Sequence, residues 1–119
     1  MHYMRMWVNG DMDYHYRENP PDVFYLVTGP KGLKFGITNS NRRGEFKRIN
    51  EHALAGYSNI VRHRMGLPIE VVTGLEGRLK YGGELLDAGY MPNRPPSREY
   101  WGIDALALVM HIVDEVLRQ

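Results

Sequence analysis

At 119 residues, 43% of them hydrophobic and 24% charged, the chain has the size and composition of one ordinary globular domain. It has no cysteine, which excludes disulfides, thiolate nucleophiles and cysteine-bound zinc, and no apolar run long enough to span a bilayer. The first residues lack the apolar core of a secretion signal, so a cytoplasmic protein is the expectation, and the net charge of +1 excludes a strongly polarised chain only on average.

In chain order, His2 to Val8 and Met12 to Arg17 alternate loosely around Asn9-Gly10, a pattern that predicts a β-hairpin. Asp11, Asp13 and His15 read as its solvent face in preference to a metal cluster, since no supporting ligands are evident. Asn19-Pro20-Pro21-Asp22 is a stiff linker. Residues 1–22 are therefore an N-terminal hairpin extension, and 23–119 the remainder of a single domain. Val23 to Val27 and Leu33 to Ile37 flank Gly29-Pro30-Lys31-Gly32 and predict two antiparallel strands joined by a loop of about four residues. Tyr25 and Lys34 are polar-tipped residues inside these apolar runs.

Asn39-Ser40-Asn41 offers helix-capping side chains. A helix should run from about Arg42 to Leu54, with Phe46, Ile49, Ala53 and Leu54 inward. Arg48 and His52, four apart, share one face. Tyr57 to Arg64 predicts a third strand with Ile60 and Val61 as apolar members. Ile69, Val72, Leu75, Leu79 and Leu86 form a helical stripe, interrupted by glycines that suggest a kink or close packing. Residues 89–96 are a loop, and Ile103 to Arg118 is a final helix with Leu106, Val109, Met110, Val113 and Leu117 inward.

Charge is uneven along this path. Between Lys31 and Arg64, eight Lys and Arg accompany only Glu45 and Glu51, a local +6 against −5 over the rest. Such a block suits a polyanion, with Lys31, Arg42, Arg43, Lys47, Arg62 and Arg64 as candidate nucleic-acid contacts. It would equally serve as a solvated helix face.

Tyr25, Lys34, Arg48, His52 and Glu99 together make a workable kit for phosphodiester hydrolysis. A carboxylate can hold a divalent cation with waters, a guanidinium forks onto phosphate oxygens, and a phenol or imidazole can take a proton from water. Each also has a plainer role: a sheet aromatic, a snorkelling lysine, a solvated Arg–His face beside Glu45 and Glu51, and a carboxylate at the last helix's N-terminus.

Phe24-Tyr25-Leu26 followed by Lys34-Phe35-Gly36 resembles the two halves of the GIY-YIG nuclease motif. Gly36-Ile37-Thr38-Asn39, Arg48-Ile49-Asn50-Glu51-His52 and Arg98-Glu99-Tyr100-Trp101 resemble that family's later elements in the same order. The likeness spans roughly residues 23 to 101. It is nearest to the short phage and bacterial branch in which lysine replaces the second motif tyrosine. It implies an α+β fold with a small three-stranded antiparallel sheet flanked by helices, and DNA cleavage with Mg²⁺ or Mn²⁺. Tyr25 would be a general base or water-positioning group, and Lys34 would stand in for the second tyrosine. Arg48 would bind phosphate, with Arg43 as a rival, His52 would assist, and Glu99 would hold the metal. So small a domain carries few elements for reading bases, which leaves a homodimer, a separate specificity partner or cutting with little specificity as the expectations. The alternative is the same fold without catalysis, binding nucleic acid or a host protein.

Overall fold

The computed structural model describes residues 20–40 and 44–118. The predicted N-terminal hairpin with Asp11, Asp13 and His15 falls outside these residues, as do Arg42 and Arg43.

β1 (Val23–Gly29) and β2 (Gly32–Thr38) form an antiparallel hairpin in register from Val23↔Thr38 to Gly29↔Gly32. β-branched and aromatic residues favour these strands. The connection is tighter than the expected four-residue loop, because both glycines belong to the strand ends and only Pro30 and Lys31 turn. Gly32 sits at φ +126°, and a Cβ there would fall 2.4 Å from the Trp101 carbonyl oxygen, so the turn admits no side chain at that position. β3 (Asn59–Arg64) pairs antiparallel with the other edge of β1, with a register shift at Leu26/Val27. β4 (Tyr100–Trp101) pairs antiparallel with β2.

The class is α+β, as expected. The sheet, however, has four strands in the order β3-β1-β2-β4 instead of the expected three. The additional strand has only two residues, too few to show an alternation in the sequence.

The sheet has two unlike faces. Phe24, Leu26, Leu33, Phe35 and Trp101 point to one of them. They pack against α2 (Ile69–Tyr81), α3 (Glu84–Asp87) and α4 (Leu106–Leu117), with the 3₁₀ turn Ile103–Ala105 leading into α4. Val72, Leu75, Leu79, Leu85, Val109, Ile112 and Val113 complete this core. α2 is continuous despite its glycines. Among the described residues no neighbour lies within 4 Å of a Cβ built at Gly74 or Gly77, so none of them is packed closely on these glycines. Burial of the Val72–Leu75–Leu79 stripe sustains the helix. Leu85, not Leu86, faces the core, because Gly83 at φ +88° restarts the chain and shifts the stripe by one residue.

The opposite face is smaller. Tyr25, Val27 and Tyr57 are buried there, with Tyr100 packed against them. α1 (Gly44–Leu54) belongs to this half, and only Ile49 among its described side chains is buried. Leu54 is 90% exposed and Ile60 is 50% exposed, both contrary to expectation. Leu54 ends its helix beyond the packed turn, and Ile60 sits on an edge strand. Ser40 donates from both its amide and its hydroxyl to the Asp22 carboxylate, at 2.7 Å each, closing the open end of the hairpin.

Candidate active site

Alternation along the hairpin sends Tyr25 and Lys34 to the smaller face while their neighbours enter the core. Both are buried, Tyr25 at 1% and Lys34 at 3% exposure. Tyr25 lies directly across from Gly36 in the register. A Cβ on Gly36 would stand 2.5 Å from Tyr25 Oη and 2.9 Å from Lys34 Nζ. The missing side chain is therefore what lets the phenol and the ammonium meet above the strand.

A buried ammonium is costly unless its donors are satisfied and its charge is offset. Lys34 meets both conditions with its three protons. It donates to Tyr25 Oη at 2.8 Å, to the Phe35 carbonyl at 3.2 Å and to Glu99 Oε1 at 2.9 Å. Burial by itself disfavours the charge, but interactions with Tyr25 and Glu99 outweigh it, and the Lys34 pKa is raised. Glu99 is delivered by β4, whose approach is locked by the Glu99 carbonyl accepting from Phe35 N at 3.1 Å. Trp101 Nε1, which donates to the Arg98 carbonyl at 2.7 Å, adds a second lock. The second carboxylate oxygen of Glu99 accepts from Lys80 Nζ at 3.3 Å. Burial pushes the Glu99 pKa upward, but Lys34 and Lys80 overcome that and hold it below the usual value.

The chain of contacts continues through Tyr25 to His52, in the last turn of α1, with Oη and Nε2 2.9 Å apart. The ammonium of Lys34 cannot accept, so the phenol proton is directed to Nε2. Burial, the Lys34 charge and the Arg48 charge push the His52 pKa down to about 4. A neutral imidazole that accepts at Nε2 carries its proton on Nδ1. Burial also raises the Tyr25 pKa, against the opposing pull of Lys34.

Arg48 lies one helical turn before His52. It is exposed, has no carboxylate partner among the described residues, and is near enough for its charge to lower both the Tyr25 and His52 pKa values. A hairpin, a helix and a short edge strand thus bring Tyr25, Lys34, His52 and Glu99 into one hydrogen-bonded row, with the Arg48 guanidinium near it.

The basic candidates are distributed differently. Lys31 is exposed in the hairpin turn and Lys47 on α1. Arg62 projects to the other face of the sheet. Its Nε and Nη2 each donate at 2.9 Å to the two Asp114 oxygens on α4, which occupies it. Arg64 lines an open cavity of about 540 Å³ between β3 and α4, with Val61, His63, Leu117 and Arg118. None of Tyr25, Lys34, His52 and Glu99 lines that cavity.

Two participants went unread in the sequence. Lys80 shares Glu99 with Lys34, and Glu76 lies 3.9 Å from Lys80 on the same helix. The Glu76 pKa is raised, chiefly by burial and against the pull of Lys80. Their spacing of four residues was the available signal, but such pairs usually decorate solvent-exposed helix faces.

Among the described residues no group of three or more metal-ligating side chains is assembled. Glu99 is the carboxylate of this row, with a lysine on each oxygen and its side chain 28% exposed, so an oxygen-ligating cation there would have to displace Lys80. Magnesium commonly uses one or two carboxylates, with water and substrate phosphate completing the shell. Compared with protein-family models, curated proteins and solved structures, the chain matches none.

Proposed function

We propose that this protein is a metal-dependent endonuclease of the GIY-YIG type, hydrolysing a phosphodiester of DNA on the smaller face of its sheet. The observation that supports the reading is the single row Glu99–Lys34–Tyr25–His52, drawn from separate elements, with Arg48, which has no carboxylate partner among the described residues, at its end.

In this reading Arg48 takes the scissile phosphate, its planar fork matching two of the oxygens. Tyr25 is held by Lys34 with a lone pair free for the attacking water. Because burial keeps the phenol protonated, Tyr25 accepts the water's proton only as it passes its own to His52 Nε2. Phosphate charge at Arg48 offsets the depression of His52 and readies it for that proton. Glu99 would hold Mg²⁺ or Mn²⁺ through the oxygen now bonded to Lys80, and a divalent cation there supplies charge neutralisation at the phosphate. Lys80 has Glu76 as its remaining partner.

The test is cleavage of plasmid DNA by the purified chain with Mg²⁺ or Mn²⁺, and its arrest by chelator. Glu99→Ala should abolish cleavage, and Arg48→Ala should reduce it about a hundredfold or more. Undiminished cutting by both variants would overturn these roles.

The same row favours a second reading. Both Glu99 oxygens are engaged by lysines, so Glu99 could serve only as a buried counter-ion in a nucleic-acid-binding module without catalysis. That reading predicts salt-sensitive DNA binding and no cleavage with any metal.

A further inference from the structure

Two guanidinium–tyrosine pairs bracket the segment that carries Glu99. Arg94 Cζ lies 4.6 Å from the ring centre of Tyr100, and Arg98 Cζ lies 5.7 Å from that of Tyr81. Lys80 Nζ is also 5.7 Å from the Tyr81 ring, and it donates to Glu99 Oε2 at 3.3 Å. Laid end to end, those distances put the ring within about 9 Å of the carboxylate, the reach of a nucleotide adjoining the cleaved phosphate.

Tyr81 is the last residue of α2, is 70% exposed and belongs to neither apolar cluster. Arg98 lies beside this ring and Arg94 beside that of Tyr100. Arg62 is occupied by Asp114, and Arg78 by Glu84 and Glu115. Arg94 and Arg98 have no carboxylate partner among the described residues, and Arg98 donates to the Lys80 carbonyl. An open ring flanked by Arg98 has the chemistry of a stacking platform, where the ring takes a base and the guanidinium takes the backbone. An intact duplex keeps its base faces covered by neighbouring pairs, so a protruding tyrosine can stack only on an unpaired base.

We propose that Tyr81, Arg98 and Arg94 form a track for unpaired nucleotides beside the site, which makes the substrate a DNA with a single-stranded stretch at the scissile phosphate. This rests on the nuclease reading and adds the substrate class to it.

The experiment measures binding of the full chain, in chelator so that nothing is cut. The probes are a labelled single-stranded oligodeoxynucleotide and the duplex of the same sequence, at one fixed salt concentration. Tyr81→Ala should weaken single-strand binding about tenfold and duplex binding less than about twofold, while Tyr81→Trp preserves both. The track is overturned if Tyr81→Ala binds the single strand as tightly as wild type, if both probes weaken equally, or if Tyr81→Trp behaves as Tyr81→Ala. In each case retained duplex binding by the wild type leaves the nuclease reading intact. Binding of neither probe by the wild type overturns both.

Discussion

A methyl group at position 36 would fall 2.5 Å from Tyr25 Oη, 2.8 Å from its Cζ and 2.9 Å from Lys34 Nζ. The ring is buried and cannot turn aside, so Gly36→Ala must displace the phenol, the ammonium or both. Misplacement of that size disrupts near-attack geometry. Gly36→Ala should keep the circular dichroism of the wild type while cleavage falls about a hundredfold, read as kcat on plasmid. Lys80 offers a complementary change. It holds the one Glu99 oxygen that does not face Lys34, so a metal ion must compete with it. Partly exposed ion pairs are worth about 1 kcal/mol or less. Lys80→Met should therefore tighten Mn²⁺ binding by up to about fivefold, read by direct titration in the absence of DNA. Unchanged or weaker Mn²⁺ binding would show that Lys80 does not compete with the ion.

At the scale of elements, the least conspicuous one holds the carboxylate. β4 has two residues, yet Trp101 is 1% exposed, pairs with Leu33 and donates to the Arg98 carbonyl. Trp101→Ala should cost about 3–5 kcal/mol in denaturant unfolding and release Glu99 from Lys34. Trp101→Phe, which keeps most of the packing, should cost less and retain the pairing. The hairpin was legible in the sequence because two apolar, β-rich runs flank a loop with glycine at both ends, and α1 because Phe46, Ile49, Ala53 and Leu54 recur at helical spacing. β4 was not, since two residues have no period. α2 was underrated because its glycines lower propensity, a weak prior that burial of Val72, Leu75 and Leu79 overrides. The placements of Leu54, Ile60 and Leu86 missed because hydrophobicity alone does not say where an element stops being covered. The joining of Tyr25 to Lys34 and of Lys34 to Glu99 depends on a register and a strand pairing that spacing does not carry.

For the whole molecule, the row of groups ties stability to pH. His52 is held neutral in the fold, its pKa pushed from 6.5 down to about 4 by burial and by Lys34 and Arg48. The unfolded chain protonates at the higher value, so it binds the proton first as pH falls. Stability is then full above about pH 6.5 and is lost progressively toward pH 4. Glu99, with its pKa depressed below 4.5 by the lysines that overcome its burial, adds a second loss at still lower pH, with the same sign. Thermal melts across this range should therefore show the melting temperature falling between pH 6.5 and pH 4. His52→Gln cannot titrate but can still accept from Tyr25, so it should lack this part of the slope and keep the fall contributed by Glu99. Identical slopes for wild type and His52→Gln would mean that His52 titrates alike in the folded and unfolded chains. The neutral acceptor that Tyr25 needs would then be missing over the acidic half of the range, and with it the route by which the phenol hands on its proton.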